Sequence, residues 1–166
     1  LKVANMPYSF LLESVEGGEH IARYSFIGTE PDSVITTGMD YPDGEIDPLI
    51  RIQDVFAEYK LIDTGNLPKF SGGVVGYLSY EVSKYFENIP APPGDDLKLP
   101  ESILMLVKTF LIFDHVAHKI QVVSHADLAD GVEVGYAQAV NRIEAIVNKL
   151  NKPLDPGLIK KTSGFT

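Results

Sequence analysis

A chain of 166 residues, 45% hydrophobic and 22% charged, has the make-up of an ordinary globular domain. It is long enough to bury roughly 70% of the surface that its unfolded form exposes. Its formal net charge of -9 repels phosphate backbones and argues against nucleic-acid binding, and the absence of cysteine excludes a disulfide framework or a thiolate metal site. No apolar run approaches the roughly 20 residues of a membrane span, the longest being interrupted by Lys108 and Thr109.

The N-terminal stretch LKVANMPYSF lacks a basic region followed by an apolar core, so no secretory signal is expected. With neither span nor signal the expectation is a soluble cytoplasmic chain, and the lack of an initiator Met adds the expectation that its first residues are missing. Residues 9–13 and 21–27 read as paired strands, with Gly17-Gly18 supplying the positive φ of a tight reversal. A third short strand is expected over 33–37, where β-branched residues concentrate, followed by a Pro- and Gly-broken loop over 38–47.

Asp47-Pro48 is a helix start, with the Asp side chain as cap and Pro in the first turn. Leu49, Ile52, Val55, Phe56 and Tyr59 then fall on one face, expected to pack on a sheet, with Arg51, Asp54 and Glu58 turned away. Residues 70–79 read as a strand whose glycines admit close backbone approach, since the GGVVG run meets neither Walker nor dinucleotide spacing. A short helix is expected over 80–87, then a loop over 88–101 in which four prolines forbid regular structure.

Residues 102–114 read as one long strand with Leu104, Leu106 and Phe110 prominent, returning through a turn at 115–118 into a strand over 119–124. The last element is a helix ending near Leu150, whose expected inner face is Val132, Tyr136, Val140, Ile143, Val147 and Leu150. Sequential hairpins with interspersed helices indicate an α+β class with a largely antiparallel sheet. The domain is expected over 1–150, with 151–166 as a linker.

Few residues propose chemistry. His115, His118 and His125 could suggest zinc, but two of them bracket a reversal where polar side chains are expected anyway. Glu16 and Glu19 flank Gly17-Gly18 and read as solvated turn residues. Glu13-Ser14 differs, because it stands where a strand of buried side chains is expected to end. A carboxylate there suits an ammonium and a hydroxyl or amide suits a carboxylate, the two ends of an amino acid; the alternative is Ser14 bonding its own turn.

Three stretches, MPYSFLLESVEGGEHIARYSFIG, FSGGVVGYLSYEVSKYFE and PESILMLVKTFLIFDHVAHKIQVVSH, occur in this order. Together they closely resemble the N-terminal region of the anthranilate synthase component I family, over about residues 4–150. The resemblance implies half of that family's α/β sandwich. It further implies an enzyme that joins chorismate to ammonia with magnesium and eliminates pyruvate to form anthranilate, the ammonia coming from a glutamine amidotransferase subunit (component II). The catalytic and metal-binding residues belong to a portion absent from these 166 residues, so no catalytic residue, metal ligand or cofactor is expected here, chorismate binding through the absent portion. The LLES motif implies part of a feedback site for L-tryptophan at Leu12, Glu13 and Ser14, with Leu11, Arg23 and Tyr24 beside it. Aminodeoxychorismate synthase component I shares an LES-type segment and is the sibling reading. A stand-alone amino-acid-binding module is the reading from another class.

Overall fold

The computed structural model describes residues 2–3, 6–13, 23–62, 67–90, 94 and 97–154. The chain divides into two compact units, one formed by Leu1–Glu30 with Lys108–Thr166 and the other by Pro31–Val107.

The first unit is built on a four-stranded sheet in which β1 (Phe10–Glu13), β2 (Tyr24–Gly28), β6 (Thr109–Asp114) and β7 (Lys119–Ser124) lie side by side in that order. Every pairing is antiparallel. Residues paired in register share a face, so Ile27, Leu111 and Val122 form one row across the sheet. That row packs with Val3, Phe113, Ile146 and Leu150 into a core whose centre, Leu111, is fully buried.

Ile146 and Leu150 come from α2 (Val132–Asn151), which packs along β7. Arg142 pins the helix to the end of that strand, its Nε donating to Ser124 Oγ at 2.9 Å and its Nη2 to the His125 carbonyl at 2.7 Å. Glu133 in the first turn and Lys149 in the last complement the helix dipole.

The face that α2 buries is only partly the expected one. Gly135, Ala139 and Ile146 point inward and Val140, Ile143 and Leu150 are half-buried, whereas Val132, Tyr136 and Val147 are exposed. The inner face is rotated by most of a quadrant because Gly135 lies against the backbone carbonyl of Asp127, where a Cβ would overlap it. Small residues at 135 and 139 bring the helix close, and a search for large apolar side chains passes over them.

The second unit holds a three-stranded antiparallel sheet of order β3 (Ser33–Thr37), β5 (Ser102–Val107), β4 (Gly73–Leu78). Thr37 and Ser102, opposite each other in register and fully buried, satisfy one another through a 2.7 Å hydroxyl bond. The glycines of β4 act as expected of a sheet: Gly76 lies so close to the Ile103 carbonyl that a Cβ would collide with backbone. Gly73 holds a φ of 129° that other residues rarely adopt.

The single strand expected over 102–114 is therefore two strands in different sheets, broken at Lys108. Both halves are buried on both faces, so the run lacks the alternation that would have marked the change. Lys108 leaves the ladder to pair with Asp127 at 3.2 Å, and its carbonyl accepts the His125 amide.

Helix α1 (Pro48–Ala57) starts as its sequence indicates, Asp47 Oδ1 accepting the Leu49 amide at 2.8 Å. Its apolar face is less covered than expected: Ile52 and Val55 are half-buried, but Leu49, Phe56 and Tyr59 are exposed. The short helix after β4 is a 3-10 helix over Tyr80–Tyr85. Glu101 ties it down, accepting from Lys84 Nζ at 2.5 Å and from the Tyr85 hydroxyl at 2.9 Å, while Glu45 takes a second Lys84 bond at 2.9 Å. Burial opposes the Lys84 charge, yet these bonds outweigh it and raise its pKa. Among the described residues no helix is long and apolar enough to cross a membrane.

Candidate functional site

β1 is an edge strand, and β2 positions it. Glu13 pairs with Ser25, Leu12 with Phe26 and Leu11 with Ile27. By register Leu11 and Glu13 share the face that α2 covers, and Leu12 the other. The expectation that Glu13 closes a buried strand is corrected: Leu11 and Leu12 are 55% and 40% exposed, and Glu13 is exposed as well. An edge strand has a neighbour on one side only, so its side chains stay open even where the sheet beneath is buried. Ser14 lies outside the described residues, as do Gly17-Gly18 and the rest of the expected reversal.

Arg23 and Tyr24 stand at the start of β2, and there the sheet gathers its charge. The Arg23 guanidinium grips Asp114 with two nitrogens: Nη2 donates to Oδ2 at 2.7 Å, and Nε reaches Oδ1 and Oδ2 at 3.1 and 3.2 Å. Its central carbon sits 5.0 Å from the Tyr24 ring centroid, within cation–π range. Asp114 ends β6 and also caps the following turn, Oδ1 accepting the Val116 amide at 3.1 Å and the Ala117 amide at 2.9 Å. The Arg23 bond foremost, then the Ala117 amide, lower the carboxyl pKa to about 2. The same bond raises the pKa of Arg23.

Two further bonds fasten the β6–β7 turn to β2. The His115 amide donates to the Arg23 carbonyl at 2.9 Å, and His115 Nε2 lies 2.7 Å from Ser25 Oγ. Ser25 is buried, and among the described residues no carboxylate orients the His115 ring, so this pair is a structural bond and not a nucleophile with its base.

Of the residues expected at a ligand site, the structure puts Arg23 and Tyr24 in contact and Leu11, Leu12 and Glu13 on the strand beside them. Sequence reasoning missed Asp114 and Ser25, and read His115 only as a possible zinc ligand or turn residue. Their signal was RYS opening one strand and FDH closing another, which becomes meaningful only once β2 and β6 are paired with Tyr24 opposite Asp114. Chemically the group offers a fixed, half-exposed guanidinium beside an aromatic ring, while Glu13 on the adjacent strand belongs by register to the other face of the sheet. Among the described residues, no three His, Cys, Asp or Glu converge as a metal site, His115, His118 and His125 included.

A family model described as chorismate binding enzyme matches residues 8–162. Probable anthranilate synthase component 1 of Schizosaccharomyces pombe is 39% identical over 152 residues, 90% of this chain and 30% of that protein. Anthranilate synthase component 1 of Acetivibrio thermocellus is 37% identical over 82% of this chain and 30% of its own length. The chain thus spans about a third of the length of these relatives. Among solved structures, anthranilate synthase component I from Streptococcus pneumoniae superposes over 90% of this chain and 33% of its own, with a TM-score of 0.65 at 23% identity. That likeness establishes the mixed α/β, antiparallel fold.

Proposed function

The chain belongs to the chorismate-binding enzyme family, and from that premise we propose that it forms the N-terminal third of an anthranilate synthase large subunit. The complete enzyme converts chorismate and ammonia to anthranilate and pyruvate in the cytoplasm, with ammonia delivered by a glutamine amidotransferase subunit. One observation carries this reading: relatives named anthranilate synthase component 1 match 82–94% of this chain at 32–39% identity, yet only 30–34% of their own length is used. Magnesium, the family's metal, belongs in this reading to the remaining two thirds of the enzyme. The 166 residues by themselves are not catalytic.

This portion's role is regulatory. Leu11, Leu12, Glu13 and Ser14 form one wall of a tryptophan site, with Arg23 and Tyr24 beside it. The chemistry of the ligand supports the assignment at its carboxylate end, where Arg23 offers a cation with hydrogen-bond donors. Tryptophan inhibits by binding a less active arrangement of the enzyme more tightly than the active one.

The test uses the full-length protein with chorismate, ammonia and magnesium, following anthranilate by its fluorescence with and without L-tryptophan. Anthranilate formation that tryptophan suppresses is the expected result, and Ser14→Phe is expected to remove the suppression with catalysis intact. Aminodeoxychorismate as product would transfer the chain to the sibling enzyme. Unchanged inhibition in Ser14→Phe would dismiss the site.

A further inference from the structure

We propose that Asp114 is the positioning residue of this effector site, holding Arg23 in the orientation that recognises the ligand's carboxylate; the inference rests on the tryptophan-site reading above. Asp114 lies 91 residues from Arg23 in sequence and on a different strand, yet its carboxylate takes two of the three guanidinium nitrogens. The carboxylate cannot swing away. Its side chain is 9% exposed, the Val116 and Ala117 amides hold it from behind, and the turn that carries those amides is bonded to β2 through His115.

Held in this way, the guanidinium plane is fixed, and Arg23 remains 42% exposed. Among the described residues nothing is bonded to Nη1, the nitrogen on the side away from the Nε–Nη2 edge that Asp114 grips. A free Arg would sample many rotamers and lose that freedom on binding; one already clamped by a carboxylate and laid against Tyr24 has given it up beforehand.

The perturbation is Asp114→Asn in the full-length enzyme, an isosteric change that keeps a carbonyl oxygen for the turn amides and removes the charge gripping Arg23. The inhibition constant for L-tryptophan is expected to rise roughly 10- to 100-fold, the weight of a charge-assisted hydrogen bond. Inhibition by L-tryptophanamide, which keeps the ammonium and indole but has no carboxylate, is expected to stay unchanged, as are kcat and KM for chorismate. The ratio of the two inhibition constants therefore narrows. An unaltered tryptophan constant, or an equal loss for tryptophan and its amide, would overturn the proposal, since general loosening of β2 weakens both alike. Arg23→Ala separates the two levels: if it leaves tryptophan inhibition intact, the site reading itself falls, whereas loss in Arg23→Ala with retention in Asp114→Asn removes only the role of Asp114. Should Asp114→Asn fail to fold, Arg23→Lys poses the same question, because Lys keeps the charge and lacks the fork.

Discussion

Ile146→Ala and Tyr136→Ala are two truncations on one helix that should differ severalfold. Ile146 is 7% exposed and packs with Val3 and the fully buried Leu111, whereas Tyr136 is 67% exposed. Truncating a buried Ile to Ala removes its transfer free energy and leaves a cavity, together about 2–4 kcal/mol. Surface truncation away from caps and bonds stays within about 0.5 kcal/mol. For a chain of this size each kcal/mol moves the midpoint by about 2–4 °C. Ile146→Ala should therefore lower Tm by about 5–15 °C and Tyr136→Ala by about 2 °C at most. Thermal melts followed by far-UV circular dichroism, on the 166-residue chain and on the full-length protein, provide the measurement. Equal losses, or a larger one at Tyr136, would mean that α2 buries the face its large apolar residues mark and that the close approach at Gly135 does not set the helix rotation.

Two other outcomes follow from single residues. Gly76→Ala would drive a Cβ into the Ile103 carbonyl, and since that neighbour is backbone, β4 must part from β5; a loss of about 2 kcal/mol or more is expected from urea midpoints, with little change on replacing Gly44, which has open space around it, by Asn. Asp114 sets an acid limit. Its folded pKa lies near 2, below the roughly 3.9 of an unfolded Asp, so its contribution is complete above about pH 4 and is lost as pH falls towards 2. Melting midpoints of the wild type should therefore fall more steeply between pH 4 and 2 than those of Asp114→Asn, and parallel curves would contradict the Arg23 pairing.

Local signals were legible wherever the cause was local. The Asp47 cap, the reversal at 115–118 and the strand that follows it come from side-chain chemistry within a few residues, and the structure places them accordingly. The break at Lys108 was hidden because β5 and β6 are both buried on two faces, and a continuous apolar run carries no period. The rotation of α2 was hidden for the opposite reason: Gly135 and Ala139 are small because they are close to their neighbours, and hydropathy counts them as weak.

The candidate site divides along the same line. Glu13 and Arg23 stood out because each is a charge at the edge of an apolar strand, an anomaly visible in a window of a few residues. Asp114 did not stand out, since a carboxylate before a turn is what turn chemistry already predicts, and it fulfils that role by accepting the Val116 and Ala117 amides. Its second role, gripping Arg23, exists only because β2 and β6 pair with Tyr24 opposite Asp114. A slip of β2 by one residue against β6 would turn Ile27 away from Leu111 and out of the core, and would change which residue stands opposite Asp114. The core and the charge cluster are therefore set by one register, and the burial of Leu111 is what holds the Arg23–Asp114 pair in place.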